Sequence, residues 1–214
     1  MGIEDIRRDY TRGTFNEQTA HEMPHEQFLQ WFNDVLNDDS LTDPTAMVVA
    51  SYEEESGISQ RVVLLKGSTP EGYVFFTNYQ SRKAQALLTQ PRCSLHFSWL
   101  HAERQIAIEG IARPLSDEEN DRYFASRPRA SQLGAWASHQ SEPIANREAL
   151  ESAFQSAEAR FQNEETVPRP EYWGGFRVEP TRYEFWQGGA ARLHDRVEYL
   201  RNSKGAWFKQ RLQP

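Results

Sequence analysis

Between Pro24 and Asp38 the residues Phe28, Trp31, Phe32, Val35 and Leu36 recur at helical spacing, which predicts an amphipathic helix. Asp43-Pro44 then interrupts the chain before a predicted strand, Thr45 to Tyr52. The run Ser59 to Lys66, SQRVVLLK, has an unbroken apolar centre and predicts a strand covered on both faces. A turn at Pro70-Glu71-Gly72 leads into a strand from Gly72 to Thr77. Helix is predicted from Ser81 to about Gln90 with Ser81 as N-cap, and Arg92 to Trp99 with Glu103 to Ala112 read as a hairpin. Ser116-Asp117-Glu118-Glu119 has the form of a capping box opening a helix toward Arg127. Pro128 suits the first turn of a short helix ending near Ala137, and Asn146 to Gln162 places Leu150, Phe154, Ala157 and Phe161 on one helical face.

From Tyr172 the pattern changes to period two. Tyr183 and Phe185 alternate with Arg182, Glu184 and Trp186, and the pairs Gly174-Gly175 and Gly188-Gly189 punctuate the run. Such a pair lets the backbone turn sharply or approach another group closely. Val197 to Leu200 and Ala206 to Leu212 close the strand set. Strands arriving mostly as adjacent hairpins, with helices between groups, predict an α+β fold: a closed antiparallel barrel with surrounding helices. No G-x-G-x-x-G fingerprint or P-loop supports a doubly wound sheet. Residues 1–20 are polar with few apolar anchors and read as a mobile arm, leaving residues 21–214 as one domain.

Composition narrows the function. A net charge of -7 argues against nucleic-acid binding and against an anionic membrane surface. Cys93 is the only cysteine, which excludes an intrachain disulfide and a thiolate zinc site; within Arg92-Cys93-Ser94-Leu95 it reads as a small buried residue. His21 and His25 lack a third metal ligand and have Pro24 between them, so no metal is expected. No apolar run reaches the length of a membrane span and MGIEDIRRDY lacks a signal-peptide core, so a soluble cytoplasmic protein is expected.

Against that acidic background, four cationic clusters stand out. Arg61 and Lys66 bracket VVLL on opposite faces of the predicted strand, about 16 Å apart, so they suit two different anions or two solvated strand ends. Arg82 and Lys83 lie at a helix N-terminus, where cations are unfavourable unless an anion is bound. Tyr123 and Arg127 share a helical face with Ser131 just beyond, a grip suited to phosphate. Arg192, His194 and Arg196, read as a strand, share one face and flank a histidine with two permanent cations, which favours a proton-accepting imidazole. Several separated anion grips with many aromatics describe a site for phosphorylated ring compounds, two phosphates with a planar group between them.

These residues resemble the pyridoxine/pyridoxamine 5'-phosphate oxidases over nearly the whole chain. The likeness rests on Asp43-Pro44-Thr45-Ala46-Met47, Gln60-Arg61-Val62-Val63-Leu64-Leu65-Lys66, Thr77-Asn78 and Ser81-Arg82-Lys83-Ala84. It continues through Glu103-Arg104-Gln105, Tyr123-Phe124, Ser126-Arg127-Pro128-Arg129 and Ser131-Gln132 to Trp136. It ends in Phe185-Trp186-Gln187-Gly188-Gly189, Arg192-Leu193-His194-Asp195-Arg196 and Arg211-Leu212.

The resemblance implies a flavin-binding split barrel that works as a homodimer with FMN at the subunit interface. It would set Arg61, Arg82 and Lys83 on the FMN phosphate, with Val62, Leu64, Lys66, Phe76, Thr77, Gln105, Gln140, Ser141, Trp186 and Arg196 around the flavin. Lys66, Tyr123, Arg127 and Ser131 would bind the substrate phosphate, Arg192 and His194 would lie over the reacting carbon, and Arg7 and Tyr10 would close the site. The implied substrates are pyridoxamine 5'-phosphate, pyridoxine 5'-phosphate and dioxygen, and the products pyridoxal 5'-phosphate and hydrogen peroxide. Arg192 is assigned orientation and His194 proton acceptance. Phe76 departs from the family, which often has tyrosine there. A non-catalytic carrier of flavin or pyridoxal phosphate, and a nicotinamide-dependent flavin reductase, are the alternative readings.

Overall fold

The computed structural model describes residues 2–6, 9–38 and 42–214. The longest strand explains the rest of the sheet. β7 (Trp173–Gln187) pairs along one edge with β6 (Arg104–Pro114) from Phe176 to Gln187. Its other edge is shared, with β4 (Gly72–Asn78) taking Trp173 to Val178 and β8 (Asp195–Arg201) taking Arg182 to Gln187. Pro180, which has no N–H to offer a ladder, falls in the gap between those two partners. The sheet therefore forks at β7.

Around it, β1 (Ala46–Glu53), β2 (Gly57–Leu64), β3 (Gly67–Thr69) and β5 (Arg92–Trp99) complete the order β2-β1-β5-β6-β7-β4-β3, all antiparallel, and β9 (Trp207–Leu212) pairs β8. This is the predicted α+β antiparallel barrel, but split where the strand pattern implied closure. β2 faces β4 across the opening without strand pairing to it.

Helix α1 (Pro24–Leu36) forms where the periodicity predicts, and its apolar stripe enters the barrel. Phe28, fully buried, packs edge-on against Tyr73 at 4.8 Å and Phe97 at 5.2 Å between ring centroids. Trp31 meets Phe185 at 5.3 Å and Phe15 at 4.9 Å. Phe15, in the polar first twenty residues, is itself in the core at 7% exposure. A second apolar cluster, Phe124, Leu133, Phe161, Val167 and Trp173, lies under α3 (Asp117–Ser126), α4 (Arg129–Ala137) and α5 (Arg147–Arg160). Among these, α3 starts on its predicted capping box, with Ser116 Oγ accepting from Glu119 N–H and the Glu119 side chain answering the Ser116 N–H.

Two expectations are corrected. The strand β2 is not covered on both faces within one chain, because it is an edge strand paired only to β1; Ile58, Val62 and Leu64 are left exposed. The segment around Arg192 is not strand. Ala190 to Arg192 is a 3-10 turn with Ala191 and Arg192 at positive φ (53° and 62°), and β8 begins only at Asp195. No helix among the described residues is long and apolar enough to cross a membrane.

Candidate functional site

A cavity of about 480 Å³ opens between β2, β4 and the α3–α4 corner. Phe76 lines it from β4 while its neighbour Phe75, on the opposite face, turns inward to full burial, and Thr77 lines it near the end of the strand. Phe76 faces Gly175 across the ladder, and a Cβ on that glycine would come within 2.8 Å of the Phe76 ring. The first glycine pair thus makes room for a protein ring. Phe76 stacks on Tyr123 at 3.8 Å and on Trp173 at 5.2 Å.

At one end of the cavity, Lys83 opens α2 (Arg82–Thr89) at only 5% exposure. Its ammonium donates to Thr77 Oγ1 (2.6 Å), Gln140 Oε1 (2.5 Å) and Ser81 Oγ (3.2 Å), all neutral acceptors. Burial, with the Arg61 guanidinium adding repulsion, pulls the ammonium down to about 8. Arg61 has a buried Nε without a partner. Ser81 does not cap α2 as predicted: its Oγ donates back to the Asn78 carbonyl, and the Arg82 N–H goes instead to Ser141 Oγ at 3.3 Å. Ser141 is held at φ 78°, a conformation unusual for a residue with a side chain. Lys83, buried near the α2 N-terminus among neutral acceptors, and the half-buried Arg61 of β2, whose charge it feels, make a cationic corner with no carboxylate on Lys83.

The residues of the second cluster meet, though not on one helical face: α3 ends at Ser126 and Arg127 is extended just beyond it. Tyr123, Arg127 and Ser131 line the same cavity together with Lys66. Arg127 lies 4.6 Å over the Trp173 ring, with one buried guanidinium nitrogen (NH1) unpartnered, and burial lowers its pKa. Burial raises the Tyr123 hydroxyl, opposed by Arg127. Val62, Leu64, Thr77 and Gln140 also line the cavity, while Arg82 is not among its lining residues and pairs with Glu53 (3.3 Å).

The remaining predicted residues lie elsewhere. Trp186 and His194 pack at 4.6 Å, and the Tyr10 ring sits edge-on to both at 5.6 and 5.5 Å. Gln105 is the β6 neighbour of Trp186, and Arg196 is its β8 neighbour, with Nε donating to Glu184 at 2.8 Å. Arg192 is exposed on its turn, so the expected row of Arg192, His194 and Arg196 on one strand face does not form. The Gly189 N–H donates to Nδ1 of His194 at 3.1 Å, which puts the proton of a neutral imidazole on Nε2. Gly189 can do this because nothing projects from it: a Cβ would lie 2.3 Å from the Leu193 carbonyl oxygen. Arg7 lies outside the described residues.

These two groups stand at opposite ends of β7. Gly175, beside Phe76, and Trp186 are eleven residues apart on one strand, a contour of about 36 Å. Asn78, Ser138 and Trp173 also line the cavity and were not assigned to a site from the sequence. The Asn78 position lies inside the quoted Thr77-Asn78 motif, but the Arg127–Trp173 stack depends on α3 meeting β7 and has no local signal. Burial pushes the Cys93 thiol up to about 12, which keeps it protonated and unreactive.

Comparisons with known proteins fit this architecture. Residues 37–161 match the family model for pyridoxamine 5'-phosphate oxidase, and residues 173–214 match that for the pyridoxine 5'-phosphate oxidase C-terminal dimerisation region. The pyridoxine/pyridoxamine 5'-phosphate oxidase of Alteromonas mediterranea is 47% identical over the full length of both chains. That of Rubrobacter xylanophilus is 49% identical, covering 99% of this chain and 96% of its own. Among solved structures, PhzG from Burkholderia lata, in complex with tetrahydrophenazine-1-carboxylic acid, superposes with a TM-score of 0.86 at 30% identity, over 94% of this chain and 98% of that one. An FMN binding protein from Nostoc punctiforme shares the fold at a TM-score of 0.70 and 14% identity, over 89% of this chain and 98% of that one. By matches that span the barrel and its C-terminal strands, the chain belongs to the pyridoxamine 5'-phosphate oxidase family.

Proposed function

We propose that this chain is an FMN-dependent oxidase, acting as a cytoplasmic homodimer, that converts pyridoxamine 5'-phosphate or pyridoxine 5'-phosphate to pyridoxal 5'-phosphate. Dioxygen takes the electrons and leaves as hydrogen peroxide, with water consumed and ammonia released when the substrate is the amine. The observation that carries the reading is that one cavity is lined at separate points by two cationic grips, Lys83, with the Arg61 charge close behind it, and Arg127 with Tyr123 and Ser131. Two phosphorylated ligands require two such grips.

The residues fit FMN. Lys83, Arg61, the α2 N-terminus, Arg82 and Ser141 would hold its phosphate, and Val62, Leu64, Thr77 and Gln140 would meet the rest of the molecule. Bound FMN would supply hydride acceptance and its own reoxidation by dioxygen. Arg127, Tyr123, Ser131 and Lys66 bind the substrate phosphate in this scheme, with Phe76 contributing a stacked ring in place of a hydroxyl. Arg192 is a fixed positive charge that orients the substrate. His194, with Nδ1 occupied by Gly189, serves as a hydrogen-bond donor through Nε2 and not as the proton acceptor first assigned to it.

The family match to a dimerisation region supports a dimer. The position of Trp186, His194 and Arg196 toward the opposite end of β7 from Phe76, outside the cavity lining, supports a site completed by a second chain. Purified protein should be yellow, and adding pyridoxamine 5'-phosphate under air should consume oxygen and yield the aldehyde. Protein that is colourless, refuses added FMN and makes no aldehyde would overturn the proposal; NADH oxidation without a B6 phosphate would favour the flavin reductase.

A further inference from the structure

Glu103 lies outside the cavity, yet its geometry ties it to the Tyr10 cluster from two sides. It ends the 3-10 turn Leu100–Ala102 at φ 57°, a left-handed conformation costly for a residue with a side chain, and is 6% exposed. Its carboxylate Oε2 accepts two successive backbone amides, Thr11 N–H at 2.8 Å and Arg12 N–H at 2.9 Å. Its carbonyl accepts the Gly188 N–H at 2.8 Å and Gln187 Nε2 at 3.2 Å. Tyr10 immediately precedes the first of those amides, and its ring lies on Gly188, where a Cβ would come within 2.7 Å of ring carbons. The side chain of one residue therefore holds the strap above the contact, while its backbone holds the floor below.

We infer that Glu103 is a positioning residue for the substrate site: its buried carboxylate latches residues 11–12 and so sets Tyr10 against Trp186 and His194. The inference rests on the oxidase reading for the meaning of that cluster. Asp195, adjacent to His194, holds the far end of the same strap by accepting the Phe15 N–H at 2.8 Å, and Phe15 anchors in the core. A carboxylate taken out of water beside two convergent N–H groups is the strong form of such a bond.

The test is Glu103→Gln in the holoenzyme, which preserves volume and one acceptor oxygen but removes the charge. Amide hydrogen exchange in residues 10–12 should quicken about 10- to 100-fold, the effect of weakening a hydrogen bond to a charged group. The KM for pyridoxamine 5'-phosphate should rise with a smaller change in kcat. The double variant with Tyr10→Ala should be no worse than Tyr10→Ala alone, since the latch acts through that ring. Should Glu103→Gln fail to fold, Thr11→Pro deletes one amide donor from the strap side and should quicken exchange at residues 10 and 12 with the same rise in KM. Unchanged exchange at residues 10–12, or additive kinetic effects with Tyr10→Ala, would overturn the latch. An absence of turnover with any B6 phosphate would defeat the oxidase reading while leaving the exchange comparison to decide the latch.

Discussion

The Gly189 N–H points at Nδ1 of His194 from 3.1 Å, so this imidazole is read by its backbone before any ligand arrives. The neutral ring offers a donor at Nε2. His194→Asn keeps an acceptor near the Nδ1 position and loses the Nε2 donor, whereas His194→Gln reaches the Nε2 position with an amide N–H. If donation matters, kcat/KM should fall about 10- to 100-fold in the Asn variant and substantially less in the Gln variant. Equal losses in both, or full turnover of the Asn variant across pH, would remove the donor role.

Lys83 makes FMN binding sensitive to alkali. Its ammonium titrates near 8 in the folded chain against an ordinary 10.5, because burial disfavours the charge. Between those values the unfolded chain carries the extra proton, so the apoprotein should gain stability as pH rises from about 8 to about 10.5, and this group should add no pH dependence below 8, where its buried charge destabilises the fold in full. A phosphate reverses the preference by favouring the charged form. FMN affinity should therefore weaken above about pH 8, by up to about tenfold per pH unit, as read by flavin fluorescence. Lys83→Met should bind FMN weakly at every pH and abolish that slope; a slope that survives the substitution would assign it to another group.

Arg127 tests the second grip separately from the first. Its guanidinium is stacked on Trp173 with a buried nitrogen left for a ligand, a geometry an ammonium cannot reproduce. Arg127→Lys should raise the KM for the B6 phosphate about 10- to 100-fold while leaving the flavin spectrum and FMN affinity unchanged. Loss of FMN from this variant would show that the two grips are not distinct.

Much of this was legible from the chain alone, for physical reasons. The α1 stripe, the Ser116–Glu119 box and the hairpin of Arg92 to Trp99 with Arg104 to Pro114 are local patterns, and each formed within a residue or two of its predicted bounds. Tyr123 and Arg127, linked by helical spacing, and Ser131 beyond Pro128 do share a cavity, although α3 ends before Arg127. What failed depended on tertiary context. Periodicity cannot reveal that Ala191 and Arg192 adopt positive φ and end the alternation before His194. An apolar run such as VVLL does not reveal whether its second face is covered by its own chain or left exposed, as Val62 is here. Phe15, lone among polar neighbours, gave no periodic signal of its place beside Trp31.

The exposed face of β2 and the separation along β7 lead to a test of where the site is assembled. Val62 lines the cavity and is 65% exposed, so the cavity wall is an open surface in a single chain. Arg127 belongs to that cavity; His194 belongs to the far end of β7. Suppose each complete site takes Arg127 from one protomer and His194 from its partner. Arg127→Ala and His194→Asn chains would each be nearly inactive alone. In a mixed dimer, however, both lesions would fall in one site and the other would be intact. Unfolding and refolding an equal mixture makes half the dimers mixed, so about a quarter of the wild-type turnover should return. If instead both residues of a site come from one chain, every site carries a lesion and mixing restores nothing.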